Sequence, residues 1–426
     1  MSFDLNNRKI RNRIFSADFG LEKECLRVDE NGFLAHTDHG FDNEHLQRDF
    51  CENQVEFVTD VFDNAKDVCT QLTQLHKTVQ KNLAARKPGR EFLWSFSNPP
   101  YVKGENDVPI ANFVGTAAGK SVYRKYLADK YGRLKMLYSG IHFNFSFKND
   151  LIESVFESSG KSDFRSFKNG IYLELAQKSV RYAWLTVYLT AASPVIDCSF
   201  INADKIGETV VTNYSSARCS EAGYWNTFVP TLKYASTEEY VQSIQKYVDE
   251  GRLKSASELY YPIRLKPQGE NTLENLYMRG INHIELRMID VNPLSPIGIF
   301  EDDIKFVHYL TVYLMAQPEI KLSDDEQITA INNEKTAARL NDEQIIEFLG
   351  RKRSIKDTAL DELYKIRKFY EDFGDDGILK IIDKQIDKVK CPDKRYANIV
   401  KKEYGEDYVK KGLKLAEKYQ NELLES

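Results

Sequence analysis

Three observations in the sequence predict a mixed fold of the α+β class. Two stretches, 135–147 (KMLYSGIHFNFSF) and 281–289 (INHIELRMI), alternate apolar and polar residues with the period of two expected of half-buried strands. Between them, 167–192 is a long aromatic-rich run that reads as a mostly buried helix ended by Ser193 and Pro194. From about residue 318 the composition shifts to Lys, Asp and Glu with few glycines, which predicts an all-helical C-terminal region, 321–426, packed on the mixed unit 1–320.

Taken in order, 19–28 (FGLEKECLRV) is strand-like and projects Glu22 and Glu24 from one face, about 7 Å apart. Two carboxylates so close repel each other, so they mark either a solvated outer face or a site for a hard cation such as Mg²⁺. In 49–59 (DFCENQVEFVT) a helix would put Asp49, Glu52 and Glu56 on one stripe, and a strand would put Glu52, Gln54 and Glu56 on one face. Acids converge in both cases. Residues 64–84 carry Val68, Leu72, Leu75 and Val79 at helical spacing. The run GTAAGKS at 115–121 resembles a P-loop, but three residues separate Gly115 from Gly119 where a Walker A loop has four.

In 135–147, Ile141, Phe143, Phe145 and Phe147 share a core face, and His142, Asn144 and Ser146 share a polar one. His142 is there either as a satisfied core histidine or as a ligand. Read as one straight strand, Met136 and His142 have the same parity about 20 Å apart, so one compact site needs a bend near Gly140. In 281–289 the core face is Ile284, Leu286 and Met288, and the polar face is His283, Glu285 and Arg287. Ile345, Phe348 and Leu349, then Leu360, Leu363, Ile366 and Tyr370, read as helical periods.

Lys and Arg number 59 against 64 Asp and Glu, a net charge of −5 mixed along the chain, so no basic field invites nucleic acid. The most apolar window, 182–196, is interrupted by Thr186, Thr190, Ser193 and Pro194 and falls short of the roughly 20 residues of a bilayer span. The polar N-terminus has no secretory pattern, and six scattered cysteines without a C-x-x-C pair suit reduced thiols, so a cytoplasmic protein is expected. Small molecules are the expected partners, with no membrane and no nucleic acid. Monomer and homodimer both stay open.

Together, G-L-E-K-E-C-L-R-V at 20–28, D-F-C-E-N-Q-V-E-F-V-T at 49–59, Y-R-x-x-L at 123–127, S-G-I-H-F-N-F-S at 139–146 and H-I-E-L-R-M-I-D-V-N-P-L-S-P-I-G at 283–298 resemble the bacterial glutamate–cysteine ligase family. The resemblance rests on five ordered blocks across about 300 residues. It implies a glutamine-synthetase-like catalytic fold in 1–320, a funnel made by a curved, mainly antiparallel sheet with acids inside and helices outside. It also implies an enzyme that uses ATP and Mg²⁺, with Mn²⁺ as the alternative. The γ-carboxylate of glutamate is phosphorylated, and the amino group of cysteine attacks the γ-glutamyl phosphate, as in the first step of glutathione biosynthesis.

Carried over by position, Glu22, Glu24, Asp49, Glu56, His142 and Glu285 fall on the family's metal-ligand positions, and Arg218 and Arg287 on its anion-binding arginines. Phe50, Tyr123, Leu127, Tyr224 and Tyr260 match the wall around the cysteine side chain. Met136 stands where relatives carry Gln, so a different small amino acid or amine in a specialised pathway is the alternative acceptor. The C-terminal region is shorter than in those relatives, and 426 residues leave no room for a fused ATP-grasp unit, so a ligase for the first step alone is expected. A kinase that releases the acyl phosphate to water and a non-catalytic relative are the competing classes. The second is disfavoured because clustered acids with no cation to bind are costly to bury.

Overall fold

The protein is described by a computed structural model at residues 3–41, 43–87 and 89–425. Its strands are β1 (Ala17–Asp29), β2 (Leu46–Arg48), β3 (Gln54–Val58), β4 (Glu91–Leu93), β5 (Gly140–Phe147), β6 (Val195–Asp197), β7 (Thr209–Val211), β8 (Ile263–Pro267), β9 (Ile281–Asp290), β10 (Ile345–Phe348) and β11 (Arg351–Ser354). The main sheet runs β2-β3-β1-β5-β9-β8, with β4 on β1, and every pairing in it is antiparallel. It curls into the half-barrel that the family resemblance implies.

Alternation decides which face turns toward the helices. Phe19, Leu21 and Cys25 of β1, Ile141, Phe143, Phe145 and Phe147 of β5, and Ile284, Leu286 and Met288 of β9 enter one large core. The helices Ala65–Ala84, Phe164–Thr190 and Glu301–Ala316 cover that face. Asn64 caps the first by accepting from Asp67 N, and Asp163 caps the second by accepting from Arg165 N and Ser166 N. On the other face of β1, Leu26 and Val28 join a second cluster with Phe50, Trp94, Leu127, Met136 and Tyr408, which closes one end of the funnel. The remaining inner face is polar.

Two expectations are corrected. Met136 is not on the strand: it sits in a 3₁₀ turn, Leu134–Leu137, and β5 begins at Gly140. The region after residue 321 is not all helix, because 345–354 forms the hairpin β10–β11. Ile346 and Phe348 are buried while Ile345 and Leu349 are exposed, a period of two that three apolar residues in a charged context imitate as a helical one. The two-residue turn Leu349-Gly350 has φ of 50° and 73°, the type I′ geometry that matches strand twist. Leu363, Ile366, Tyr370, Ile382 and Val389 lie in the same core as the sheet. No helix among the described residues is long and apolar enough to cross a membrane.

Candidate active site

The inner face of the sheet lines a cavity of about 320 Å³. Register places its side chains in a row: Glu56 of β3 opposes Glu24 of β1, Glu22 opposes His142 of β5, Asn144 opposes Glu285 of β9, and Glu285 opposes Arg264 of β8. The row therefore runs from carboxylates at the β3 side to cations at the β8 side.

At the acid end, one ligand atom each of Glu22, Glu56 and His142 lies within 4.8 Å of the others. His142 Nδ1 is 3.3 Å from Glu22 Oε2 and 3.6 Å from Glu285 Oε1, and its Nε2 is 3.8 Å from Glu24 Oε1. Asn144 Nδ2 donates to Glu22 Oε1 at 2.9 Å, and Gly140 N donates to Glu24 Oε2 at 2.9 Å. Burial and the Asp49 charge push the Glu24 carboxyl up to about 8. Burial and the charges of Asp49, Glu22 and Glu24 push Glu56 well above the carboxylate range. Burial, then Arg287, lowers His142, which favours the neutral imidazole a metal ligand requires.

At the other end, Glu285 bonds Arg287 Nη1 at 2.9 Å and Lys266 Nζ at 3.0 Å. Burial opposes its charge, yet Arg287, Lys266 and His142 hold its carboxyl well below the ordinary range. Opposite His142, the two residues Arg287 and Met288 occupy a bulge between the pairs Ile141–Ile289 and Phe143–Leu286. Bulges of this kind re-aim side chains. Arg218 reaches in from a loop and donates to the carbonyls of Arg287 at 2.8 Å and Ile289 at 3.2 Å. Its loop is tied down by Ser216 Oγ, which donates to Asp290 at 2.8 Å. A side chain at Gly140 would collide with the Arg218 guanidinium, so glycine there permits the approach.

The third wall is aromatic. Tyr123 and Leu127 share a face of the helix Ala118–Tyr131, with Phe50, Met136, Tyr224 and Tyr260 completing the lining. The Tyr224 hydroxyl donates to that of Tyr260, and Tyr131 stands edge-on to both rings at 5.3 and 5.6 Å. Tyr131 is fixed by donating to the buried Glu258 at 2.6 Å.

Every residue assigned from the resemblance lines this one cavity. Glu22, Glu56 and His142 form its tight group, while Glu24, Asp49 and Glu285 stand around it. Glu52, the third acid of 49–59, is elsewhere: it accepts from His39 N and Asn112 N and pairs with Arg48 at 3.2 Å. Sequence reasoning missed Arg264 and Lys266, although Ile263, Leu265 and Pro267 alternate with them in the pattern of an edge strand. It also missed Arg124, Lys135, Trp225 and Glu334, which come from loops and helices and have no local pattern.

Among curated proteins, the glutathione biosynthesis bifunctional protein GshAB of Listeria innocua is 35% identical over 435 residues, covering 98% of this chain and 56% of its own length. That of Clostridium perfringens is 34% identical over 437 residues, with 98% and 56% covered. The chain spans about half the length of the curated relatives it matches. A bifunctional glutathione synthetase from Pasteurella multocida superposes with a TM-score of 0.84 at 25% identity, over 100% of this chain and 55% of that one. A glutamate–cysteine ligase from Francisella tularensis, solved in complex with AMP, shares the fold with a TM-score of 0.85 at 24% identity, over 96% and 89%. The family description glutamate-cysteine ligase matches residues 3–252 and 246–337. With the acid-to-cation row and this match over most of its length, the chain belongs to the glutamate–cysteine ligase family.

Proposed function

We propose that this chain uses ATP to join the γ-carboxylate of L-glutamate to the amino group of L-cysteine through a γ-glutamyl phosphate, the first step of glutathione biosynthesis. The observation that carries this reading is the division of one cavity into an acid end and a cation end, with an apolar aromatic wall beside them.

A carboxylate oxygen of glutamate attacks the γ-phosphorus of ATP, and ADP leaves. The amine of cysteine then attacks the acyl carbon, and inorganic phosphate leaves as the amine loses a proton. Both partners of the first step are anions, so the protein's task is to neutralise and position rather than to form covalent bonds. Carboxylates and a neutral imidazole within mutual reach suit Mg²⁺ or Mn²⁺, so Glu22, Glu56 and His142, with Glu24, Asp49 and Glu285 around them, are the proposed ligands. When bound, such ions neutralise charge on the transferring phosphoryl group.

Arg287 is oriented by Glu285 and presents a planar donor set to a phosphoryl or carboxylate group. Arg218 is held by two backbone carbonyls and offers its remaining N–H groups to an anion. Phe50, Tyr123, Leu127, Met136, Tyr224 and Tyr260 would wall the acceptor's side chain and exclude water, which would otherwise hydrolyse the acyl phosphate. The unpaired cysteines fit a reducing cytoplasm, where glutamate, cysteine and ATP would be the small-molecule partners.

The test is incubation of pure protein with glutamate, ATP, Mg²⁺ and a panel of amino acids and amines. Equal release of ADP, phosphate and γ-glutamylcysteine is expected. Release of ADP without any γ-glutamyl adduct, or no turnover with any amine, rejects the reading.

A further inference from the structure

A carboxylate that none of the assignments uses stands in the same cavity. Glu334 belongs to the helix Asp324–Ala337, is 2% exposed, and lines the cavity within electrostatic reach of Arg218, Cys219 and Tyr261. Its Oε2 accepts no hydrogen bond among the described residues. The cationic groups whose charge reaches it are Arg218 and Lys335, and the Lys335 ammonium sits over the Trp225 ring at 4.6 Å. The Arg218 charge also acts on the Glu24 carboxylate, and all three side chains line the one cavity.

A buried acceptor with no donor destabilises a fold unless something occupies it. We infer that Glu334 accepts the α-ammonium of the glutamate donor, whose α-carboxylate lies against Arg218 while its γ-carboxylate reaches the acid end. An α-amino acid presents a cation and an anion on one carbon, and a neighbouring carboxylate and guanidinium complement that pair. The inference rests on the proposed ligase reading and deepens it.

Two points favour the donor substrate over the acceptor. The attacking amine must be unprotonated, and a carboxylate against it would hold its proton in place. The donor's amine takes no part in the chemistry and is free to stay charged. Burial pushes the Glu334 carboxyl up to about 8, and an ammonium beside it would favour the charged form and lower that value. Arg218 has capacity for its share: of five N–H groups, those used reach two carbonyls and the Cys219 Sγ.

The discriminating ligand is glutarate, the same dicarboxylate without the amino group. Calorimetry of glutamate and glutarate against wild type, Glu334→Gln and Glu334→Asp, each with Mg²⁺, reads the assignment directly. Glu334→Gln is expected to weaken glutamate about 10- to 100-fold and to leave glutarate unchanged. In turnover it should raise KM for glutamate without moving KM for ATP or cysteine. Glu334→Asp keeps the charge in the cavity and should also weaken glutamate selectively, which secures the comparison if the Gln variant folds poorly. Equal weakening of both ligands would mean that Glu334 only props Arg218, and unchanged glutamate affinity would mean that it faces no ligand; each overturns the inference. If wild type neither binds nor turns over glutamate, the ligase reading itself fails, a result distinct from those two.

Discussion

At the scale of single residues, the cavity assigns different work to two side chains of similar size. Arg287 is desolvated, yet Glu285 raises its hold on the proton above an ordinary guanidinium, so its charge is permanent. Its contribution is the fixed direction of its donors. Arg287→Lys keeps the charge and loses the planar fork, and kcat is expected to fall about a hundredfold or more. Near-equal kcat/KM for the two residues would reduce Arg287 to a counter-ion. Met136, buried at 6% exposure, gives the aromatic wall of the cavity an adaptable apolar surface, which in the proposed function faces the acceptor. Met136→Gln should shift acceptor ranking toward polar or thiol side chains by on the order of tenfold, since one neutral hydrogen bond contributes about 1 kcal/mol. KM for ATP should stay constant. A lower melting temperature with unchanged ranking would make Met136 a packing residue only.

At the scale of elements, strand β5 shows what was legible and what was not. Its alternation is local, so the core face of Ile141, Phe143 and Phe145 and the polar face of His142 and Asn144 could be read from eight residues. Its start could not, because the 3₁₀ turn holding Met136 continues the same alternation by chance. The bulge at Arg287 and Met288 was equally hidden, since it is defined by pairing with β5 and not by β9 alone. Glu22, Glu24, Asp49, Glu56, His142, Glu285 and Arg287 were legible as candidates from local parity, and the resemblance of five blocks joined them into one set and added Arg218, whereas Lys266 and Glu334 depend on how distant segments meet. Gly140→Ala tests the junction of β5 with the Arg218 loop. The added methyl meets the flexible end of an arginine, so the fold should survive with an unchanged circular dichroism spectrum. Arg218 must move, and misplacement of about 1 Å costs roughly a hundredfold in rate. Full activity in this variant would show that the Arg218 position is not critical.

At the scale of the whole molecule, the acid row couples stability to pH and, in the proposed function, to divalent cations. Glu24 has its folded pKa raised from 4.5 to about 8, and Glu334 likewise. For acids so shifted, the folded state holds more protons than the unfolded one, so their stabilising contribution is present below 4.5 and is lost as pH rises through about 8. Buried histidines such as His308 and His283, lowered from 6.5 to about 4, act in the opposite sense but only below 6.5. Between pH 6.5 and 8 the metal-free protein should therefore lose melting temperature, and Mg²⁺ should restore more of it at pH 8 than at 6.5. Glu56→Gln, which removes one of the repelling carboxylates, should melt higher than wild type without metal and gain less from Mg²⁺. A Mg²⁺ effect equal at both pH values and in both proteins would dissociate the acid row from metal binding.

In the proposed reaction this cavity activates a carboxylate by phosphorylating it, and oxygen tracing tests that step without relying on any mutant. With glutamate labelled by ¹⁸O in its γ-carboxyl group, the oxygen that attacks phosphorus leaves with it when the amine displaces phosphate. Mass spectrometry of the released inorganic phosphate is expected to show one ¹⁸O per molecule formed, in step with γ-glutamyl amide. Unlabelled phosphate accompanying the same amide would rule out the acyl phosphate, because the carboxylate would then never have been joined to phosphorus.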